Sequence, residues 1–157
     1  MTEPASHGWA PRDTGFRAFT ATALVGRGDE AWNRASADVL LWKVKTRSGF
    51  RVDATGPVES GQRTTVTVKA LGFTVVEPVE VVSVVQEASR VGFAYRTLPG
   101  HPVSGEEAFI VHRDGENVWL TLRSLTRAAP QQPWRALFPM LLVAQRIVRR
   151  RYLRSLS

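Results

Sequence analysis

Cysteine is absent, so disulfides, thiolate metal sites and a thiol nucleophile are all excluded. Histidine is scarce. His7, His101 and His112 stand far apart with no metal-ligand spacing, and neither a metal nor a cofactor is expected. No serine lies in the strand–turn–helix setting of a nucleophile elbow. Long apolar runs are missing too: the longest near the C-terminus, residues 138–144, falls far short of the ~20 residues that cross a bilayer. Residues 1–13 have neither a basic start nor an apolar run. They do not read as a signal peptide, and a cytoplasmic location is the default expectation. Lysine is rare, with 3 residues against 18 arginines.

What is present suits one domain. The 157 residues are 43% hydrophobic, enough for a single ordinary core. The net charge of +7 is unevenly placed: residues 1–126 balance 14 basic against 14 acidic side chains, and the rest carries seven arginines and no acid. An arginine-rich terminal helix attracts nucleic acid, anionic membrane or an acidic partner. Arg146, Arg149, Arg150 and Arg154 are the candidate contacts. The preference for arginine over lysine nevertheless fits codon composition better than phosphate reading.

Residues 1–16 mix Pro4, Gly8, Pro11 and Gly15 with polar side chains and predict a loosely ordered arm, leaving 17–157 as the folded domain. Residues 19–25 predict a first strand, ended by Gly26-Arg27-Gly28. Asp29 is placed to cap a helix over residues 31–44, whose apolar face is Ala31, Ala35, Val39 and Trp42. The period then changes to two. Val66 and Val68 share a face within 64–70, and residues 79–86 are β-branched. Val91, Phe93, Tyr95 and Thr97 share another face, as do Glu107, Phe109 and Val111, and then Val118, Leu120, Leu122 and Ser124. Asp114-Gly115 predicts a hairpin between the last two runs.

Pro130 and Pro133 end the strands, and Pro139 suits the first turn of a closing helix. On that helix Leu141, Gln145, Val148 and Tyr152 form one face, with Arg146, Arg150 and Arg154 opposite. Strand, helix, about six strands and a long helix predict an α+β fold, an antiparallel sheet with a helix over its apolar face.

That order is the order of the helix-grip fold, in which a curved antiparallel sheet wraps around a long C-terminal helix and leaves a cavity between them. Local sequence adds to it. Gly26-Arg27-Gly28 with Ala31 and Trp42 comes first, then Phe93-Ala94-Tyr95-Arg96-Thr97-Leu98-Pro99-Gly100-His101-Pro102 and Gly105-Glu106-Glu107-Ala108-Phe109. With the ending Gln145, Arg149, Arg150, Arg151, Tyr152 and Leu153, these resemble the plant and bacterial DUF1990 family, within the START/Bet v 1-like superfamily. Arg96 departs from the family pattern, which has glycine there. The resemblance implies a helix-grip fold and a pocket but no reaction. The superfamily it implies includes lipid carriers, plant-hormone receptors and cyclases.

Gly26-x-Gly28-x-x-Ala31, with Asp53 further on, mimics a dinucleotide fingerprint. Asp29 and Glu30 would put carboxylates where a pyrophosphate should sit. The first strand alternates instead of being continuously apolar, and no second βαβ unit follows. A turn plus a helix cap is the better reading.

Residues 95–107 are the most informative. Pro99, Gly100, Pro102 and Gly105 shape the loop. His101 within it has an unperturbed pKa of ~6.5 and is a candidate acid or base; the alternative is a loop cap bonded to backbone. Glu106 and Glu107 are adjacent on a strand, so they leave from opposite faces. Glu107 shares its face with Phe109 and Val111 and is expected inside, with Arg96 as its candidate partner across a symmetric hairpin. A structural salt bridge and a ligand-binding carboxylate are both compatible with that. Gln145 sits mid-stripe, where an amide must find strand residues such as Tyr95 or a bound ligand. Trp42, Trp119 and Trp134 read as core or rim packing.

The expected function is binding of a small, largely apolar molecule between sheet and helix, contacted by Tyr95, Thr97, His101, Glu107, Phe109 and Gln145. Two alternatives stay open. One is an enzyme using the same cavity, with His101 or Glu107 as general acid or base. The other is an interaction protein docking nucleic acid, membrane or an acidic partner through the arginine face.

Overall fold

The computed structural model describes residues 1–12, 15–70 and 72–157. Strand β1 (Arg17–Arg27) leads into α1 (Gly28–Leu40) and the short α2 (Lys43–Thr46). Six strands follow: β2 (Phe50–Val52), β3 (Arg63–Ala70), β4 (Phe73–Glu87), β5 (Arg90–Thr97), β6 (Val103–Asp114) and β7 (Asn117–Ala128). Helix α3 (Trp134–Arg154) ends the chain. The strands form one antiparallel sheet in the order β1-β7-β6-β5-β4-β3-β2, and β6 and β7 meet at Asp114 and Asn117 in the expected hairpin.

The sheet bends around its contents. Register slips between Leu24 and Gly26 in β1 and between Val81 and Ser83 in β4, and an extra residue on one strand increases local twist. At Gly105 β6 comes so close to β7 that a Cβ would stand 1.7 Å from the Leu125 carbonyl oxygen. Gly26 has a related reason, since its Cβ would lie 2.6 Å from that of Ala31 on α1. Gly26 thus serves helix–strand packing, and Gly28 supplies a positive φ of 78° at the start of α1, without any need for a nucleotide.

The concave face supplies Val66, Val79, Val81, Phe93, Phe109, Val111, Leu120 and Leu122. Ala31, Ala35 and Val39 of α1 cover one end, and Tyr152 and Leu156 at the C-terminus cover the other. Fully burying side chains such as Phe93 and Phe109 contributes about 1.5–3 kcal/mol each. A curved antiparallel sheet gripping the C-terminal helix is the helix-grip fold, in the α+β class.

Three expectations about the helices change. Asp29 does not cap α1: Arg27 occupies the N-cap without a side-chain hydrogen bond, and Asp29 instead pairs with Arg113 at 2.8 Å. The first helix stops at Leu40, because Trp42 adopts a left-handed φ of 59° that turns the chain into α2. Pro139 lies inside α3, which already begins at Trp134, so the hydrogen bond that Arg135's carbonyl would accept is missing there.

The N-terminal segment is fastened. Thr2 is fully buried, and its backbone N–H donates to Glu106 at 2.7 Å. Arg90 and Arg123 reach the carbonyls of Pro4, Ser6, Thr2, Glu3 and His7 from beneath. The segment crosses the convex face, where Ala94, Ala108 and Ile110 are fully buried. Among the described residues no helix is long and apolar enough to cross a membrane.

Candidate functional site: a cavity with one polar end

Between the concave face and α3 lies a cavity of about 550 Å³. Its apolar wall includes Phe50, Val68, Val75, Leu141, Ala144 and Val148. Its polar residues include Lys45, Glu77, Tyr95, Thr97, His101, Glu107, Ser124, Gln145 and Arg149. Sheet register explains how several of them meet. Phe19, Ser124, Glu107, Tyr95 and Val81 stand side by side on five adjacent strands. Tyr95, directly opposite Glu107 across β5 and β6, donates its hydroxyl to that carboxylate.

Lys45 sits above this row. The left-handed turn at Trp42 aims α2 inward, so the ammonium is buried. Its Nζ lies 3.7 Å from Glu77 and 3.7 Å from Glu107. The rings of Phe50, Tyr152 and Tyr95 surround it at 4.5, 5.1 and 5.3 Å. Both carboxylates stand beyond ordinary hydrogen-bond distance, so the ammonium keeps donor capacity for a guest. Burial raises the Glu77 carboxyl above its ordinary range, against the pull of Lys45. Burial also raises the Tyr95 and Tyr152 phenols well above theirs, so both remain protonated donors.

His101 is anchored by its loop. Its Nδ1 accepts the Val103 backbone N–H at 3.1 Å, which puts the proton of the neutral ring on Nε2. Nε2 faces Glu77 at 3.9 Å. Burial, helped by Lys45, lowers the imidazole to about 3. Such a ring is neutral at physiological pH, with no spare lone pair for a base.

Helix α3 contributes two polar groups. Gln145 keeps its Oε1 buried without a hydrogen-bond partner among the described residues. Arg149 donates to Ser124 at 2.8 Å and lies over the Phe19 ring at 3.9 Å. It therefore leaves the outward arginine set and joins the cavity, while Arg146, Arg150 and Arg154 stay exposed.

Of the six expected ligand contacts, Tyr95, Thr97, His101, Glu107 and Gln145 line the cavity. Phe109 does not: it is fully buried, packed edge-on against Tyr152 and tilted against Tyr95. Arg96 is not the partner of Glu107. The register sets Arg96 opposite Glu106, one residue from the symmetric guess, and a one-residue shift reverses every face. Arg96 pairs with Glu80 at 2.5 Å instead.

Lys45 and Glu77 escaped the sequence reading, and Ser124 was on the apolar face of the last strand without a site role. Glu77 was detectable, because it shares parity with Val75, Val79 and Val81 on β4 and stands opposite Val66. Arg149 follows Gln145 by four residues, which puts both on the same helix face. Lys45 lay past the expected end of the first helix and gave no local signal. Among the described residues no group of acidic and histidine side chains forms a metal site.

The family model described as "Domain of unknown function (DUF1990)" matches residues 3–155. The chain belongs to the DUF1990 family. The match takes in the N-terminal segment as well as the sheet and α3. A UPF0548 protein of Arabidopsis thaliana is 31% identical over 122 residues, 73% of this chain and 60% of its own length. A UPF0548 protein of Deinococcus radiodurans is 46% identical over 78 residues, 48% of this chain and 38% of its own length. The chain thus matches less than two thirds of either relative.

Solved structures agree on the fold. The hypothetical protein jhp0584 from Helicobacter pylori has a TM-score of 0.60 at 14% identity, covering 92% of this chain and 90% of its own. The ZhuI aromatase/cyclase from Streptomyces sp. R1128 has a TM-score of 0.54 at 19% identity, covering 88% and 92%. At these identities the likeness is one of fold alone.

Proposed function

We propose that this DUF1990 protein binds a small, largely apolar molecule in the cavity, with the polar end of the guest held by Gln145, Tyr95, Glu107 and Lys45. The observation that carries this is the buried Oε1 of Gln145 on the cavity wall, unpartnered among the described residues. Leaving such an acceptor unmade costs about 1–3 kcal/mol, and a ligand hydroxyl or amine would satisfy it. Arg149 and Lys45 favour a carbonyl or acidic oxygen on the same guest. The apolar wall suits its remaining bulk.

Native mass spectrometry of the purified protein tests the reading. The expected spectrum shows the chain carrying the added mass of a small molecule. Gln145→Leu should weaken saturable binding of that molecule about tenfold while leaving the fold intact. A bare chain mass, together with no saturable uptake of the apolar dye anilinonaphthalene sulfonate, refutes it.

A second reading rests on the outer side of α3. Met140, Val143 and Ile147 are 64%, 57% and 53% exposed, at spacings that align them with exposed Arg146 and Arg150. Ile147 also lines the cavity. An apolar stripe flanked by arginines suits an anionic membrane surface at the cavity mouth. Flotation with phosphatidylglycerol vesicles should decline steeply with added salt and vanish in Met140→Ser/Ile147→Ser; salt-insensitive flotation removes the reading.

Acid–base catalysis in the cavity is a variant of the first reading, on a fold that the ZhuI aromatase/cyclase shares. The acid would then be Glu77 or Glu107 in place of His101, whose Nδ1 is already engaged. Turnover lost by about 100-fold in Glu107→Gln would mark an enzyme, and a modest loss of affinity a binder.

A further inference from the structure

The convex face carries a second cleft, of about 340 Å³, separated from the first cavity by the sheet itself. It lies between the N-terminal segment and the outward side chains of the sheet. Arg90 and Arg123 form its base, and Thr22, Thr121, His112 and Trp9 form its sides.

The two arginines are only 3% and 4% exposed. Among the described residues neither makes an ion pair; Glu87 and Glu3 act on them only at longer range. Their hydrogen-bond acceptors are neutral carbonyls, and Arg123 also lies over the Trp9 ring at 5.6 Å. Arg90 gives Nε to Pro4 at 2.6 Å and Nη2 to Ser6 at 2.7 Å. Arg123 gives Nη1 to Glu3 at 2.7 Å and Nη2 to Ser6 at 2.9 Å. Arg90 Nη1 and Arg123 Nε hold no partner among the described residues.

Buried cations without a full counter-charge are costly, and carbonyl dipoles offset that only in part. Burial lowers the proton affinity of His112, and both guanidinia lower it further against the pull of Asp114. Beside them runs a chain of hydroxyls. Thr22 and Thr121 are 2.7 Å apart, and Thr121 is 2.9 Å from His112 Nε2. Holding the segment down needs carbonyl contacts, but it explains neither the unmatched charge nor the hydroxyl chain.

We propose that this cleft binds a small phosphate monoester, with Arg90 and Arg123 matching its charge and the Thr22–Thr121–His112 chain bonding its oxygens. Two buried guanidinia match a tetrahedral dianion, whereas a single carboxylate would leave one charge unpaired. The cleft exceeds the few water volumes, about 30 Å³ each, that a bare phosphate ion displaces. The excess leaves room for the esterified group beside Trp9.

The test uses the full chain, with imidazole resonances of His112 and His7 followed by NMR. Phenyl phosphate and inorganic phosphate are titrated at constant ionic strength, with chloride as the control. The expected result is a saturable shift at His112 with a Kd of about 1 mM or tighter, at least as tight for phenyl phosphate as for phosphate. Thr22→Val and His112→Gln touch none of the arm's anchors. Each should weaken binding about tenfold while the ligand-free melting temperature stays put. Shifts that never saturate, or that chloride reproduces, overturn the assignment; so does saturable binding that survives both substitutions.

Discussion

Acid should weaken this fold chiefly through His101. The folded imidazole titrates at about 3, against 6.5 when unperturbed. Below pH 6.5 the unfolded chain takes up a proton that the folded chain refuses. Stability from this group is therefore complete above 6.5 and is lost as pH falls toward 3. The limiting slope is about 1.4 kcal/mol per pH unit, and integration from pH 7 to pH 5 gives a loss of about 2 kcal/mol. For a chain of this size that lowers the melting temperature by roughly 4–8 °C. Glu77 works in the opposite sense, because its raised carboxyl gains a proton more readily folded than unfolded.

The comparison must therefore hold Glu77 fixed. His101→Asn does so: its Oδ1 can replace Nδ1 as acceptor for the Val103 N–H, and it does not titrate. Urea denaturation at pH 5, 6 and 7 measures both proteins. Any packing cost of the substitution is constant with pH and drops out of the slopes. The wild type should lose about 2 kcal/mol more than His101→Asn across that range. Parallel profiles, within about 0.5 kcal/mol, would refute a neutral buried ring.

Lys45→Met removes the cation between Glu77 and Glu107 and should cost about 3–5 kcal/mol in urea denaturation, part of it recovered by adding Glu107→Gln. Gly105→Ala forces a Cβ against the Leu125 carbonyl, and a loss above about 4 kcal/mol is expected by thermal unfolding. Glu106→Ala leaves the buried Thr2 donors unpaired and should cost about 1–3 kcal/mol, with faster amide exchange at Thr2 as the local readout.

The order of elements was legible because each strand keeps one strongly apolar parity, and because the stripe Leu141–Gln145–Val148–Tyr152 repeats at helical spacing. The convex face was not. Ala94, Ala108, Thr121 and Arg123 alternate with the core set and look solvent-facing, yet β5 and most of β7 are buried on both sides. What covers much of that face is a segment of prolines, glycines and serine read as loose. Its order comes from Arg90 and Arg123, which lie 84 and 117 residues away from the Ser6 carbonyl they share. A local reading of residues 1–16 has no access to such partners. Glu107 was placed inward by parity alone, correctly, but its partner was missed because hairpin register depends on how the 98–102 loop turns. The site's cation came from Lys45, whose position depends on one left-handed residue at Trp42.

The adjacent glutamates tie the two faces together. Strand alternation sends Glu107 to the cavity, where Tyr95 and Lys45 hold it, and Glu106 to the convex side, where it receives the Thr2 amide. Gly105, just before them, lets β6 press against β7. A carboxylate on a free-standing strand could relax away from Lys45 as the cavity filled or emptied. Here its backbone is bonded to β5 and β7, and its neighbour is clamped by the N-terminal segment. The segment thereby serves the cavity without touching it, by fixing the stretch of backbone from which the inward carboxylate projects. That gives a physical reason for a domain of this fold to carry ordered chain ahead of its first strand.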